Sequence, residues 1–164
     1  MTYYLKLTLS LSNSMVQRMN NRARRLAPIL WILLSVFILR VIGQMFVAMG
    51  CRGFLPPMDQ WYSGLVPYPW LVVCQIIIII LYGKVCLNFS QGKGFFATPH
   101  RGLGKGLLIF GSLYFGVMVI RYILRMTFHP EARWFGGTIP IFLHCVLAAF
   151  LLIVGNFHWR YPRK

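Results

Sequence analysis

Five polar side chains stand inside otherwise apolar stretches of this 164-residue chain: Arg40, Gln44, Gln75, Arg121 and His144. They are the residues best placed to do chemistry. An ionisable or amide group in hydrocarbon is costly unless a partner satisfies it, so such a group points to a function. A guanidinium brings five fixed donors, an amide both donors and an acceptor, and an imidazole can donate, accept or carry a proton. The only two acids, Asp59 and Glu131, lie in the segments between apolar stretches. Three readings follow. The acids pair with Arg40 and Arg121 as structural ion pairs, since a buried arginine without a partner is expensive. Alternatively, the same residues line an outward-facing cationic pocket for an anionic or carbonyl-bearing ligand, with His144 as donor or proton carrier. In the third reading the arginines face a partner subunit.

Other constellations are weaker. His144 and His158 are fourteen residues apart, which puts two imidazoles on one helix face about 21 Å from each other. Helices that hold two haems in b-type cytochromes use that spacing, but each haem needs a second histidine. Here the only others, His100 and His129, bracket the third apolar stretch. The four-span topology resembles that of the disulfide-generating quinone reductases, whose chemistry needs paired cysteines in outer loops. Only Cys51 lies in such a loop, while Cys74, Cys86 and Cys145 fall in apolar stretches. Gly102, Gly104 and Gly106 flank Lys105 without the spacing of a phosphate loop, and are read as easing the entry into a helix. No catalytic triad or carboxylate pair is apparent, so the sequence leans away from an enzyme and specifies no cofactor or metal.

The elements that must position these residues are four apolar stretches, at about 26–49, 69–89, 103–126 and 138–157. Each is near the ~20 residues that cross ~30 Å of hydrocarbon. All must be helical, because an open strand would leave backbone groups unpaired in lipid. Pro67 and Pro69 suit the start of the second helix and Pro140 the start of the fourth. The β-branched run Ile76–Ile80 would suggest a strand in water, but here it is read as helix. The predicted fold is all-α: a polytopic four-helix membrane bundle over 26–160. Residues 1–25 precede it as a basic tail without clear periodicity, with Met15 and Met19 as alternative starts. The first stretch is too long for a cleaved leader and contains Arg40, so it is read as retained.

Composition agrees. Hydrophobic residues make up 58% of the chain, charged residues 12%, and mean hydropathy is +0.65. A soluble domain of this size has too little polar surface to hide so much apolar area. The net charge of +15 clusters at the ends of apolar stretches rather than on one face, which points to anionic headgroups and away from nucleic acid. Lys6, Arg18, Arg22, Arg24, Arg25, Lys84, Lys93, Arg101, Lys105, Arg160, Arg163 and Lys164 fall on one side, with no acid. The other side holds Arg52, Arg125 and Arg133 against Asp59 and Glu131. The positive-inside rule then places both termini in the cytoplasm, and the expected location is a bacterial inner membrane.

Counting from the predicted outer ends, Gln44, Gln75, Arg121 and His144 lie roughly 8–9 Å deep and Arg40 about 15 Å. Every helix thus sends a polar group into the outer half. His144, Ala148, Leu151, Gly155 and His158 form one stripe, whose small residues admit a close neighbour, and Ser112 and Gly116 are expected to do the same on the third helix. Trp61, Tyr62, Tyr68, Trp134 and Phe135 in the outer segments suit a headgroup belt or a lid over a site. Three functions fit: a non-catalytic accessory protein or subunit of a larger membrane complex, a small-ligand or lipid-headgroup binder or transporter, and a quinone- or haem-linked redox protein.

Overall fold

A computed structural model describes residues 2–50, 67–128 and 139–160; in the first stretch, side chains are described at residue 14 and from residue 16 onward. Four α-helices carry them: α1 (Thr2–Ala48), α2 (Tyr68–Gln91), α3 (Arg101–Phe128) and α4 (Ile139–Arg160). One 3-10 turn, Phe95–Ala97, lies between α2 and α3. Segments long and apolar enough to cross a membrane are Val16–Ala48, Tyr68–Gln91, Arg101–Phe128 and Ile139–Arg160. The chain is therefore an all-α polytopic membrane protein, as its apolar stretches require.

One boundary differs from expectation. Residues 2–25, expected as a basic tail without clear periodicity, form the first turns of α1, which runs on through Pro28. Residues 2–27 contain neither glycine nor proline. Once the apolar stretch is helical, adding a further residue makes a hydrogen bond without a new nucleation cost.

The interior repeats every seven residues. On α1 the buried positions from Ala23 through Ala27, Leu30, Leu34, Phe37 and Val41 to Gln44 alternate in steps of four and three, and Val47 follows. On α2 they include Gln75, Tyr82 and Phe89, and on α3 Gly104, Gly111 and Met118. A 3.5-residue repeat keeps one stripe against a neighbour along the whole helix. Tyr82 stacks on Phe150 with ring centroids 4.0 Å apart, and Phe89 meets Phe157 at 4.9 Å. Both pairs step by seven in the same direction, so α2 and α4 run parallel. α1 and α3 run the other way, as the pairs Gln44–Gln75 and Tyr114–His144 require.

α4 is the central helix. It packs against α1 and α3 and meets α2 through the aromatic pairs, while α3 leans chiefly on α4. Small residues set the α3–α4 distance. A Cβ on Gly104 would lie 2.5 Å from the Trp159 backbone nitrogen, and one on Gly155 would lie 3.0 Å from that of Leu108. Gly111 sits against Leu151 and Leu152. The expected stripe on α4 is the one that faces α3, with Ala148, Gly155 and His158 buried. The expected counterparts on α3 are not: Ser112 faces outward, and a Cβ added to Gly116 would meet no atom within 4 Å. Gly104 and Gly111 take that role, because the seven-residue register of α3 passes through them and Met118.

One end of the bundle is basic, carrying Arg22, Arg24 and Arg25 on α1, Lys93 after α2, Arg101 and Lys105 on α3, and Arg160 on α4. Here the helices are held by contacts to backbone and by one bond between side chains. α2 ends at Gly92, left-handed at φ 64°, whose N–H reaches back to Phe89 O at 3.2 Å. A side chain there would be strained and would meet Asn20 at 3.2 Å. Arg24 donates to the Gln91 carbonyl at 3.0 Å, and Trp31 Nε1 donates to Ser90 Oγ at 3.0 Å.

Candidate functional site

The intramembrane polar residues lie toward the far end of the bundle, in two linked pairs. The first joins α1 and α2. Arg40 and Gln44 are one helical turn apart and share a face, and Arg40 donates to Gln44 Oε1. The same oxygen accepts from Gln75 Nε2 at 3.1 Å. Gln44 is 1% exposed and Gln75 6%, so this amide pair sits in the hydrophobic seam itself, at a position that the seven-residue repeat would otherwise fill with an aliphatic side chain. Tyr68, the first residue of α2, lies within electrostatic reach of Arg40.

The second pair joins α3 and α4. Tyr114 Oη and His144 Nδ1 share a hydrogen bond at 2.5 Å, with the rings edge to face. Phe110 stacks on Tyr114 from the turn below. Tyr114, Arg121 and Arg125 follow the α3 stripe that faces α4, and the charges of Arg121 and Arg40 both act on His144. The charges of Arg40 on α1 and Arg121 on α3 thus both reach the imidazole on α4.

The structure brings Arg40, Gln44 and Gln75 into contact and sets Arg121 and His144 in the same layer. Asp59 and Glu131 lie outside the described residues, as do Trp61, Tyr62, Trp134 and Phe135 of the expected belt. Among the described residues there is no carboxylate side chain. Two buried polar atoms of the layer, Gln44 Nε2 and Arg125 Nε, have no hydrogen-bond partner among the described residues. Both are donors.

Beside the layer, a groove of about 520 Å³ opens between α1 and α4. Its walls are apolar, with Val36, Leu39 and Phe46 from α1 and Ile139 and Phe142 from α4. Arg40 is the one charged residue that lines it.

His158 has a different task from His144. It is fully buried at the basic end, where Nδ1 accepts the backbone N–H of His100 at 3.1 Å, just before α3 begins. Helix starts leave N–H groups without intrahelical acceptors, and this imidazole satisfies one. Its Nδ1 is therefore committed to the α3–α4 junction rather than open to a metal. Sequence reasoning passes over Tyr82, which donates to the Leu147 carbonyl at 3.3 Å. The signal for it is its place midway between Gln75 and Phe89 in the seven-residue repeat.

No protein-family model matches the chain, and neither a curated protein nor a solved structure is detectably similar to it.

Proposed function

We propose that the protein is a non-catalytic membrane binder. In this reading the far-end polar layer takes the acceptor head of an amphipathic ligand, an anionic or carbonyl-bearing lipid, and the groove beside Arg40 takes its tail. The observation that carries the reading is the donor surplus. Gln44 Nε2 and Arg125 Nε are buried donors without partners among the described residues, and a buried donor left unsatisfied costs about 1–3 kcal/mol. The two acids do not cover the charge. Arg40, Arg52, Arg121, Arg125 and Arg133 belong to this half of the chain against Asp59 and Glu131, so 5 − 2 leaves a net +3 even with both acids paired. An acceptor from outside the chain meets that demand.

The test is extraction in mild detergent followed by mass spectrometry of the bound lipid. In wild type the far-end layer should hold close to one acidic or carbonyl-bearing amphiphile per chain, and Arg40→Met should lose that one lipid while keeping its helical circular dichroism. Equal lipid content in the two proteins would refute the reading.

A second reading, an accessory subunit of a larger membrane complex, draws support from α3. It leans chiefly on α4 and turns Leu113, Ile120 and Leu124 outward, which leaves room for another helix. Its mark would be a second polypeptide copurifying at fixed stoichiometry. For location, the charge distribution supports a bacterial inner membrane with the basic end in the cytoplasm.

A further inference from the structure

A second cavity opens on the same α1–α4 seam at the opposite end of the bundle. It measures about 380 Å³, and Arg22 and Arg25 of α1 and Arg160 of α4 line it. We infer that this cleft is a specific site for one anionic phospholipid of the leaflet at the basic end, held by its phosphate between the three arginines.

The register of the two helices builds the site. Arg22, Arg25 and Leu26 lie at i, i+3 and i+4 on α1, and Ile153, Asn156, Phe157 and Arg160 at i, i+3, i+4 and i+7 on α4. Each set is one helix face. Because the helices are antiparallel, the charged ends of both faces meet at the same level. All three arginines are exposed. Three like charges gathered in one cleft repel each other, and a phosphate reverses the sign of that interaction. Guanidinium is suited to it, since its parallel N–H groups match two phosphate oxygens at once. Asn156 adds an amide from the α4 wall.

A free anion would need only the charged rim, but this cleft has a second half. Leu26, Ile153 and Phe157 close it toward the membrane interior, so charge gives way to hydrocarbon over one or two helical turns, as it does along a phospholipid. The level is also right. On the neighbouring helix, Arg101 lies over the Trp159 ring at 5.0 Å, a pairing of cation and amphipathic ring that suits the headgroup region. Below the cleft the seam continues into the far-end groove. Arg25 and Leu39 on α1, and Asn156 and Phe142 on α4, are fourteen residues apart, so both cavities share one face of each helix, about 21 Å apart. An acyl chain descending from the phosphate runs along Ile29, Ile32 and Val36 on that face.

The experiment places the full-length protein in nanodiscs of phosphatidylcholine containing a minor fraction of phosphatidylglycerol, and native mass spectrometry counts the lipids retained after release. Two triple variants are compared: Arg22→Gln/Arg25→Gln/Arg160→Gln, and Arg18→Gln/Lys93→Gln/Lys105→Gln. The second removes the same charge from the same end of the bundle, outside the cleft. Each charge-assisted contact to the phosphate contributes roughly tenfold to affinity. The cleft variant should therefore bind phosphatidylglycerol at this site at least tenfold more weakly, and the control less than twofold. Competition by glycerol phosphate or inorganic phosphate, which lack the acyl chain, should leave the wild-type lipid in place. Equal losses in the two variants would show diffuse surface attraction and overturn the site, as would no loss in either. Displacement by inorganic phosphate would overturn the lipid in favour of a free anion. The site is independent of the far-end layer, and Arg40→Met should leave its lipid count unchanged.

Discussion

Adding one methyl group at Gly104 should pull the basic ends of α3 and α4 apart. The new Cβ would lie 2.5 Å from the Trp159 backbone nitrogen, 2.8 Å from the His158 carbonyl carbon and 2.9 Å from His158 Cβ. Comfortable contact between heavy atoms begins near 3.5 Å, so the helices must separate by about 1 Å. Two of the three obstructing atoms are backbone, and no rotamer change relieves them. The same separation would stretch the His100 N–H bond to His158 Nδ1, now 3.1 Å, beyond hydrogen-bonding range. Overpacking costs about 1–3 kcal/mol and the lost buried hydrogen bond about 1–2, while alanine returns about 0.5–1 in helix propensity. The net expectation is a loss of about 1–4 kcal/mol. Gly102 and Gly106 supply the controls, being on the same turn of helix with nothing within 4 Å of a Cβ; alanine there should be neutral or stabilising. Gly155→Ala and Gly111→Ala belong in between, and Gly111→Ala should be the milder because its neighbours are side chains of Leu151 and Leu152. Unfolding in mixed detergent and dodecyl sulfate micelles, followed by circular dichroism and tryptophan fluorescence, measures the series. If Gly104→Ala unfolds together with Gly106→Ala, close glycine packing does not hold this junction.

Gln44→Leu should cost about 1–3 kcal/mol in the same assay, because it strips Gln75 and Arg40 of an acceptor. The double variant Gln44→Leu/Gln75→Leu should recover part of the loss, since an apolar pair leaves fewer orphaned donors. A double variant worse than the sum of the singles would contradict that account. Reporter fusions after Lys164 and within residues 91–101 should report cytoplasm, and fusions near Gln60 and Arg133 the opposite side. An inverted pair would overturn the orientation drawn from charge.

The spans were legible because lipid leaves a long apolar stretch no alternative to helix. The polar layer was legible for a related reason: Gln44, Gln75, Arg121 and His144 interrupt such stretches at similar depth, and only a shared layer satisfies them together. Helix pairing was harder to read. In water an amphipathic face marks the core, whereas here the lipid face and the packed face are both apolar. Leu30 is buried and Ile32 faces outward, yet the two side chains are chemically alike. The glycines show the same difficulty. Three stand at alternate positions at the start of α3, and only the α4 register singles out Gly104 from Gly102 and Gly106. The arginines of the basic-end cleft mark topology by their number alone, but their convergence depends on which helix lies beside α1.

The two ends of the bundle are held by different kinds of contact, and that difference bears on how a ligand is accommodated. At the basic end, beside the side-chain bond from Trp31 to Ser90, three links involve backbone: Arg24 to the Gln91 carbonyl, the His100 N–H to His158, and Gly104 against the Trp159 backbone. Breaking any of them moves a helix. In the far-end layer two cross-helix bonds run side chain to side chain, Gln44 with Gln75 and Tyr114 with His144. A ligand oxygen entering there competes with another side chain for a donor, and a rotamer change settles the contest at roughly the cost of one exchanged hydrogen bond, about 0.5–1.5 kcal/mol. A layer rich in donors and poor in acceptors makes that exchange favourable for an incoming acceptor and unfavourable for an incoming cation. Under the proposed function, then, the far end exchanges its ligand by rearranging side chains, while the basic end keeps the helices in register and holds its own lipid by charge.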